Sequence, residues 1–520
     1  MVSLREAIRG PAEPDESGLK KAINSMEDLA AVLSGFEVEV RGSLELEISG
    51  VQYDSRKAGP GNLFVCIPGL KADGHKFAGM AVERGAVALV VERFLDLPVT
   101  QVKVKDSRGV LGPLAASFFG RPASRLRMIG VTGTNGKTTV THLIEHIFAK
   151  VGKRFGLIGT LGARIGEVEF PGSRTTPEAS DLQELLDVMV SREAVGAVME
   201  VSSHALDLHR VAGCEYDVAV FTNLTQDHLD YHKSMEEYLA AKGKLFASLA
   251  QQGHKNGKKF GVINTDDPAS SKLLAQTPVR AVTYGVREKA DYRAFNLQNQ
   301  ATGVKFDVEY PGGQVRLNLK TPGMFTVYNA LAAFAVGVEE GLAPELVALA
   351  LAEVQGVPGR FERVEGGQPF SVIVDYAHTP DGLENVLKTA REFTRTRIIT
   401  VFGCGGDRDR SKRPVMGELA ARLSDLAVVT SDNPRTEDPL AIIADIKVGV
   451  NKVTDHYLEV PDRQQAILQA CSFAGPGDLV LLAGKGHEDY QEINGIKYPF
   501  DDRVVARECL GRLGYGRTNP

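Results

Sequence analysis

The run Met128-Ile129-Gly130-Val131-Thr132-Gly133-Thr134-Asn135-Gly136-Lys137-Thr138-Thr139 constrains this chain more than any other stretch. Apolar β-formers lead into closely spaced glycines, and 140–151 then has the pattern of a helix. Strand, Gly-rich turn and helix in that order build a phosphate cradle. Glycine lets backbone N–H groups approach phosphate oxygens, and the helix N-terminus adds partial positive charge. The loop Gly133, Thr134, Asn135, Gly136, Lys137, Thr138 and Thr139 is therefore a nucleotide-binding candidate. Lys137 is placed to reach β/γ-phosphates and the Thr138 hydroxyl to ligate Mg²⁺. The usual spacing puts a further glycine at position 131, where this chain has Val131. A strand-turn-helix corner with no ligand is the plainer alternative.

A cradle of this kind belongs to an α/β domain, and 520 residues are too many for one core. Three units are expected: 1–123, 124–355 and 356–520. In the first, 62–68 and 86–91 read as buried strands, and Asp54-Ser55-Arg56 and Asp73-Gly74-His75 as turns. In the second, strand 195–199 ends at Glu200-Val201-Ser202-Ser203-His204, where a carboxylate beside a P-loop strand suits Mg²⁺. Strand 218–221 opens into the segment Asn223 to Asp230, in which Asp227 and Asp230 either join a metal site or cap the next helix. That helix, 235–249, carries Lys242 and Lys244, normally solvated residues. Alternating strands and helices predict a mostly parallel, doubly wound sheet, with an antiparallel insert or edge over 281–319. In the third unit four strands run into polar, glycine-containing loops: Asp375 to Pro380, Gly403 to Arg410, Ser431 to Arg435, and Ala483 to Glu488. Carboxyl strand ends line the ligand crevice of open α/β sheets. A dinucleotide fingerprint at Gly403 fails because Arg408 replaces its third glycine.

Bulk properties narrow the class. Lys plus Arg number 60 against 66 Asp plus Glu, a net charge of −6, which gives no footprint for nucleic acid. Five dispersed cysteines without a CxxC pair suit reduced thiols. No apolar run reaches the roughly 18 residues of a membrane span, and 1–17 lacks the apolar core of a signal peptide. A cytoplasmic enzyme is expected.

Thr132 to Thr138, Glu200 to His204, Asn223 to Asp230, and Asp375-Tyr376-Ala377-His378 recur in that order in the Mur ligases. From about Ser25 onward the chain resembles this family of ATP-dependent amide-forming enzymes. The resemblance implies a three-domain α/β architecture. An N-terminal uridine-nucleotide domain and a C-terminal Rossmann-like domain flank a central P-loop domain. It also implies ATP and Mg²⁺, an acyl-phosphate intermediate, and a monomer. Within the family the chain is similar to members that extend UDP-N-acetylmuramoyl-L-Ala-D-Glu by one amino acid. By that resemblance Lys137 grips the phosphates, Thr138 and Glu200 hold one metal, and His228 and Lys242 organise a second, with Lys242 carbamylated. Asn329 and Asp375 correspond to adenine and ribose contacts, Arg360 to a γ-phosphate contact, and His378 shares the nucleotide-facing loop. Ser55 resembles a uridine contact, with His75 near it. Thr175, Thr176, Ser202 and Arg210 resemble residues holding the muramoyl dipeptide.

The amino acid is implied by Asp432-Asn433-Pro434-Arg435, with Arg408, Gly484 and Glu488 as further contacts. Meso-diaminopimelate differs from L-lysine by a second carboxylate, and the planar fork of Arg435 suits a carboxylate. Rival readings are the lysine-adding ligase of the same step and, more remotely, a folylpolyglutamate synthetase. The latter lacks the leading uridine-nucleotide domain and has no use for residues 432–435.

Overall fold

The computed structural model describes residues 26–69, 72–172, 174–227, 231–250, 253–255, 257–300 and 302–516. Three large sheets of five, eleven and six strands follow one another along the chain, with two short two-stranded ribbons besides. Each of the three is mostly parallel, and inner strands such as Ala88–Val91, Gly196–Glu200 and Leu479–Ala483 are buried along their whole length, as strands covered on both faces are.

The first sheet runs Glu39–Arg41, Thr100–Lys103, Ala88–Val91, Asn62–Val65, Gly50–Gln52. All neighbours are parallel except the first pair. The expected alternation over 44–51 breaks into two short strands, Glu47–Ile48 and Gly50–Gln52. The helix Pro122–Arg125 crosses the expected join at 123/124.

In the central sheet the parallel order is Phe155–Gly159, Gly196–Glu200, Arg127–Thr132, Val218–Phe221, Phe260–Asn264, Arg280–Gly285, Tyr292–Gln300. The P-loop strand Arg127–Thr132 thus sits between the strand ending at Glu200 and the strand leading to Asn223. Gly303–Tyr310 and Gly313–Leu319 close one side as an antiparallel meander on Tyr292–Gln300. The antiparallel edge expected over 281–319 is thus shorter, because Arg280–Gly285 pairs parallel with Phe260–Asn264. Val131 belongs to the strand and is fully buried, paired with Glu200 and Val220. A glycine there would only weaken the ladder, so the phosphate loop is confined to 133–136. The helix begins at Lys137, three residues before its apolar periodicity, because polar Thr138 and Thr139 fill its first turn.

The third sheet has the order Glu362–Arg363, Ser371–Asp375, Leu479–Ala483, Ile398–Phe402, Leu426–Val429, Tyr457–Glu459, parallel after the first pair. The four strands with polar carboxyl ends are therefore adjacent, and their loops share one rim. A buried ion pair fastens this rim from below. Arg463 and Asp502 are both fully buried and joined by two hydrogen bonds, Nε to Oδ1 at 2.8 Å and NH2 to Oδ2 at 2.6 Å. NH2 also donates to Ala483 O at 3.1 Å and NH1 to Ser431 O at 3.4 Å, tying two strand ends together. All five cysteines are buried and free. No helix of the described residues is long and apolar enough to cross a membrane.

Removing one partner of a buried ion pair strands the other charge. Asp502→Ala is expected to cost about 3–5 kcal/mol, read as a lowered thermal or urea midpoint. The apolar double replacement R463M/D502L is expected to recover most of that loss.

Candidate functional site

Gly136 adopts φ +84°, a left-handed conformation that ends the loop and starts the helix. A Cβ there would strike the side chain of Asn329, which lies buried against it. The loop is sewn to the neighbouring strand end. Thr134 N–H donates to Asn223 O at 2.8 Å, Asn135 N–H to Asn223 Oδ1 at 2.9 Å, and Thr222 Oγ1 to Asn135 O at 2.6 Å. Lys137 Nζ donates to Gly133 O at 2.9 Å and Thr134 O at 2.7 Å. Burial holds its amine below the ordinary lysine range, with Glu200 opposing the shift.

Glu200, 1% exposed, accepts from Thr138 Oγ1 at 3.0 Å, Thr160 N–H at 2.7 Å and Thr160 Oγ1 at 3.2 Å. Arg360, from the start of the third unit, donates through NH2 to Thr138 Oγ1 at 3.1 Å. Its guanidinium carbon lies 4.7 Å from the Tyr376 ring centroid, and its buried Nε has no partner. Asp375 Oδ2 accepts from Phe361 N–H at 2.7 Å, and burial pushes its carboxyl upward while Arg360 opposes. His378 Nδ1 is 2.8 Å from Tyr376 O. Asn135 Nδ2 donates to Asp381 at 2.8 Å, a second bond between central loop and third unit.

Lys242 corrects a sequence expectation: it is 1% exposed rather than solvated. Its Nζ donates to Gly133 O at 2.8 Å and stands 4.2 Å from the Tyr238 ring centroid. Burial, and then the like charge of Lys137, hold this amine well below the ordinary lysine value. Lys244 does face outward, paired with Asp207 at 2.7 Å. The following helix is capped by Ser234, whose Oγ accepts from Glu237 N–H at 3.2 Å, so Asp227 is not its cap. His228 and Asp230 lie outside the described residues. Among the described residues no cluster of three or more His, Cys, Asp or Glu gathers. The adjoining Thr138 hydroxyl and Glu200 carboxylate are oxygen donors of the kind Mg²⁺ prefers.

Beside this cluster a cleft of about 1600 Å³ opens between the central and third units. Thr175, His378, Arg408, Asp432, Asn433, Arg435, Gly484 and Glu488 all line it. Thr160 and Tyr376 line it too, and through Glu200 and Arg360 they connect it to the phosphate loop. Asp432 Oδ1 accepts from Asn433 N–H at 2.6 Å, and Asn433 Nδ2 donates to Glu488 at 2.7 Å. Burial, then Asp432, raise the Glu488 carboxyl. Gly484 has φ +116°, and a Cβ there would lie 2.6 Å from Asp432 Oδ2. Arg435 NH1 donates to Gly406 O at 2.7 Å, and Pro434 O accepts from Glu437 N–H at 3.0 Å. Arg408 NH1 donates to Asp407 O at 3.0 Å.

The remaining candidates lie outside the cleft lining. Thr176 Oγ1 donates to Glu200 O at 2.9 Å and accepts from Ser202 N–H at 3.1 Å; Arg210 NH1 reaches Thr176 O at 3.5 Å. Ser55, buried, sits at the join of the first and central units, between Tyr53 and Lys57, which both contact Asp181. His75 is turned inward: Nδ1 is 2.6 Å from Asp73 Oδ1, and Nε2 accepts from Glu92 N–H at 2.9 Å. With both ring nitrogens engaged, it has no polar atom to offer a ligand in this conformation.

Several supporting residues carry no sequence signal. Lys485 is fully buried and donates to Asn433 Oδ1 at 3.3 Å and Tyr490 O at 2.5 Å. Arg413, also fully buried, bonds Glu437 at 2.8 and 2.9 Å and Asp445 at 2.9 Å. Glu437 in turn accepts from Asp407 N–H at 2.6 Å, binding the Arg408 loop to the Arg435 loop.

Three family models match in chain order. They are the Mur ligase family, catalytic domain, over residues 47–118; the Mur ligase middle domain, over 131–337; and the Mur ligase, glutamate ligase domain, over 359–486. The UDP-N-acetylmuramoyl-L-alanyl-D-glutamate--2,6-diaminopimelate ligase of Syntrophomonas wolfei is 49% identical over 486 residues, spanning 93% of this chain and 99% of its own. The enzyme of the same name from Geobacillus thermodenitrificans is 50% identical over 485 residues, with the same two shares. A solved structure of a ligase of that name superposes with a TM-score of 0.68 at 33% identity, covering 94% of this chain and all of its own.

The Arg413 guanidinium, followed by the Asp407 N–H, holds the Glu437 carboxyl down to about 2 from 4.5. A carboxyl depressed on folding stabilises the fold above its unfolded value, and that contribution fades as pH falls through the folded one. The stability gap between the wild type and Glu437→Gln should be constant above about pH 5 and close as the pH drops toward about 2. Urea denaturation of both proteins across that range checks it.

Proposed function

The chain belongs to the Mur ligase family, and we propose that it joins meso-2,6-diaminopimelate to UDP-N-acetylmuramoyl-L-alanyl-D-glutamate with ATP. It acts as a cytoplasmic, monomeric enzyme of peptidoglycan synthesis, with domains 1–123, 124–355 and 356–520. The observation that carries the choice of amino acid is Arg435, a guanidinium on the cleft beside the carboxylates of Asp432 and Glu488. A dicarboxylic diamine meets both signs of charge there, whereas lysine would leave the fork without its carboxylate.

The D-Glu side-chain carboxylate attacks the γ-phosphorus of ATP, forming an acyl phosphate and releasing ADP. The amine of diaminopimelate adds to the acyl carbon, and the tetrahedral intermediate loses a proton and expels phosphate. Lys137 exchanges its two loop carbonyls for phosphate oxygens, and Arg360 meets the γ-phosphate from the third domain. Thr138 and Glu200 would hold Mg²⁺, which neutralises phosphate charge when bound. Asn329 and Asp375 face adenine and ribose, with His378 in the same loop. Thr175, Thr176, Ser202 and Arg210 hold the muramoyl dipeptide, and Ser55 the uridine end. Arg408, Asn433, Pro434 and Gly484 complete the diaminopimelate pocket. The buried Lys242 amine, once it has given up its ammonium proton, can add CO₂ and lose a further proton, becoming a carbamate. With His228 it would then supply ligands for a second cation.

ADP release with the nucleotide substrate and Mg²⁺ is expected with meso-diaminopimelate and not with L-lysine. Arg435→Ala should lower kcat/KM for diaminopimelate by roughly 100-fold or more, consistent with an unpaired buried charge group. Turnover with lysine would overturn the acceptor; ADP release without either amino acid would overturn the ligase reading. Separately, carbon-13-labelled bicarbonate should give a carbamate NMR signal that is absent from Lys242→Ala.

A further inference from the structure

Arg435 sits at φ +53°, a left-handed conformation unfavourable for a residue with a Cβ. It is held there by the ribbon formed by Tyr490–Ile493 and Ile496–Pro499. Arg435 N–H donates to Glu492 O at 2.9 Å, and Asn494 N–H donates to Arg435 O at 2.6 Å. The same strand lies along the rest of the loop: Glu492 N–H donates to Asn433 Oδ1 at 2.9 Å, and Gln491 Nε2 to Asp432 O at 2.7 Å. The Glu492 carboxylate is directed at the Arg435 side chain, with Oε2 3.3 Å from Nε. Gly406 O takes a hydrogen from NH1 on the other edge. A guanidinium carries five N–H donors in a rigid plane. The ion pair beside Nε and the hydrogen bond from NH1 together orient the plane and leave NH2 for a carboxylate in the cleft that Arg435 lines. Glu492 itself does not line that cleft, and its side chain is 25% exposed.

We propose that Glu492 is a positioning residue for amino-acid selection: its carboxylate fixes the plane of the Arg435 guanidinium, so that the fork accepts the far carboxylate of a diamino dicarboxylic acid. The inference rests on the reading of Arg435 given above. Glu492 acts through Arg435 and touches neither the phosphate loop nor the uridine end. Its loss should therefore appear in one Michaelis constant.

Steady-state kinetics of the full-length wild type, Glu492→Ala and Glu492→Gln, varying each substrate in turn, test this. Glu492→Ala should raise KM for meso-diaminopimelate about tenfold, with kcat within about twofold and the constants for ATP and nucleotide unchanged. Glu492→Gln keeps the size and an oxygen beside Nε but not the charge, and should fall between the two. An unchanged diaminopimelate KM in Glu492→Ala, with a normal wild type, overturns this inference alone. A parallel rise in all three constants also overturns it, by making the ribbon a general support. A wild type that ignores meso-diaminopimelate removes the reading underneath, and this inference with it.

Discussion

One buried carboxylate organises the catalytic half of this molecule. Glu200 ends a central strand with its side chain out of solvent, and a carboxylate so placed needs donors. It takes them from the first turn of the P-loop helix, through Thr138, and from the end of the next strand, through the backbone and hydroxyl of Thr160. Its own backbone carbonyl binds Thr176. Three segments are thereby fixed to one residue, two through its carboxylate and one through its backbone carbonyl. Thr138 passes the connection on, since its hydroxyl donates to Glu200 while accepting from Arg360 of the third unit.

The third-unit side of the cleft follows the opposite logic, with buried cations holding the loops. Arg463 collects Ser431 O and Ala483 O, Lys485 collects Asn433 and Tyr490 O, and Arg413 collects Glu437 and Asp445. Each costs desolvation and repays it only because several acceptors converge on it. Loops without regular structure thus gain fixed positions from below, which leaves their upper faces free to be polar.

What the sequence made legible was mostly local. The strand-turn-helix grammar, the antiparallel edge and the polar loops at the strand ends follow from periodicity and from residues close together in the chain, whereas the insertion of Leu479–Ala483 between Ser371–Asp375 and Ile398–Phe402 does not. Val131 was an apparent defect in the phosphate-loop pattern, until the strand proved to extend through it. Long-range burial was not legible. Lys242 falls on a helix position that composition assigns to solvent, and only Gly133, 109 residues away, explains its burial. Arg463 needs Asp502, 39 residues on, and nothing near either residue announces the pair. His75 shows the converse: the turn expected at Asp73-Gly74-His75 forms, but that its ring is held by Asp73 and Glu92 was not legible. Glu492 escaped notice because the residue it faces, Arg435, lies in a loop far away along the chain.

The carbonyl oxygen of Gly133 accepts from two lysine side chains, Lys137 at 2.9 Å and Lys242 at 2.8 Å. Two like charges on one oxygen repel, so whatever draws one away lowers the cost of the other. A phosphate that captures Lys137 thus leaves Lys242 with the whole of that carbonyl. Chemistry that strips the charge from Lys242 likewise leaves Lys137 without its competitor. By linkage each event must favour or disfavour the other equally. The loop and the buried lysine are in that sense one titrating unit, with Gly133 O as the atom they share.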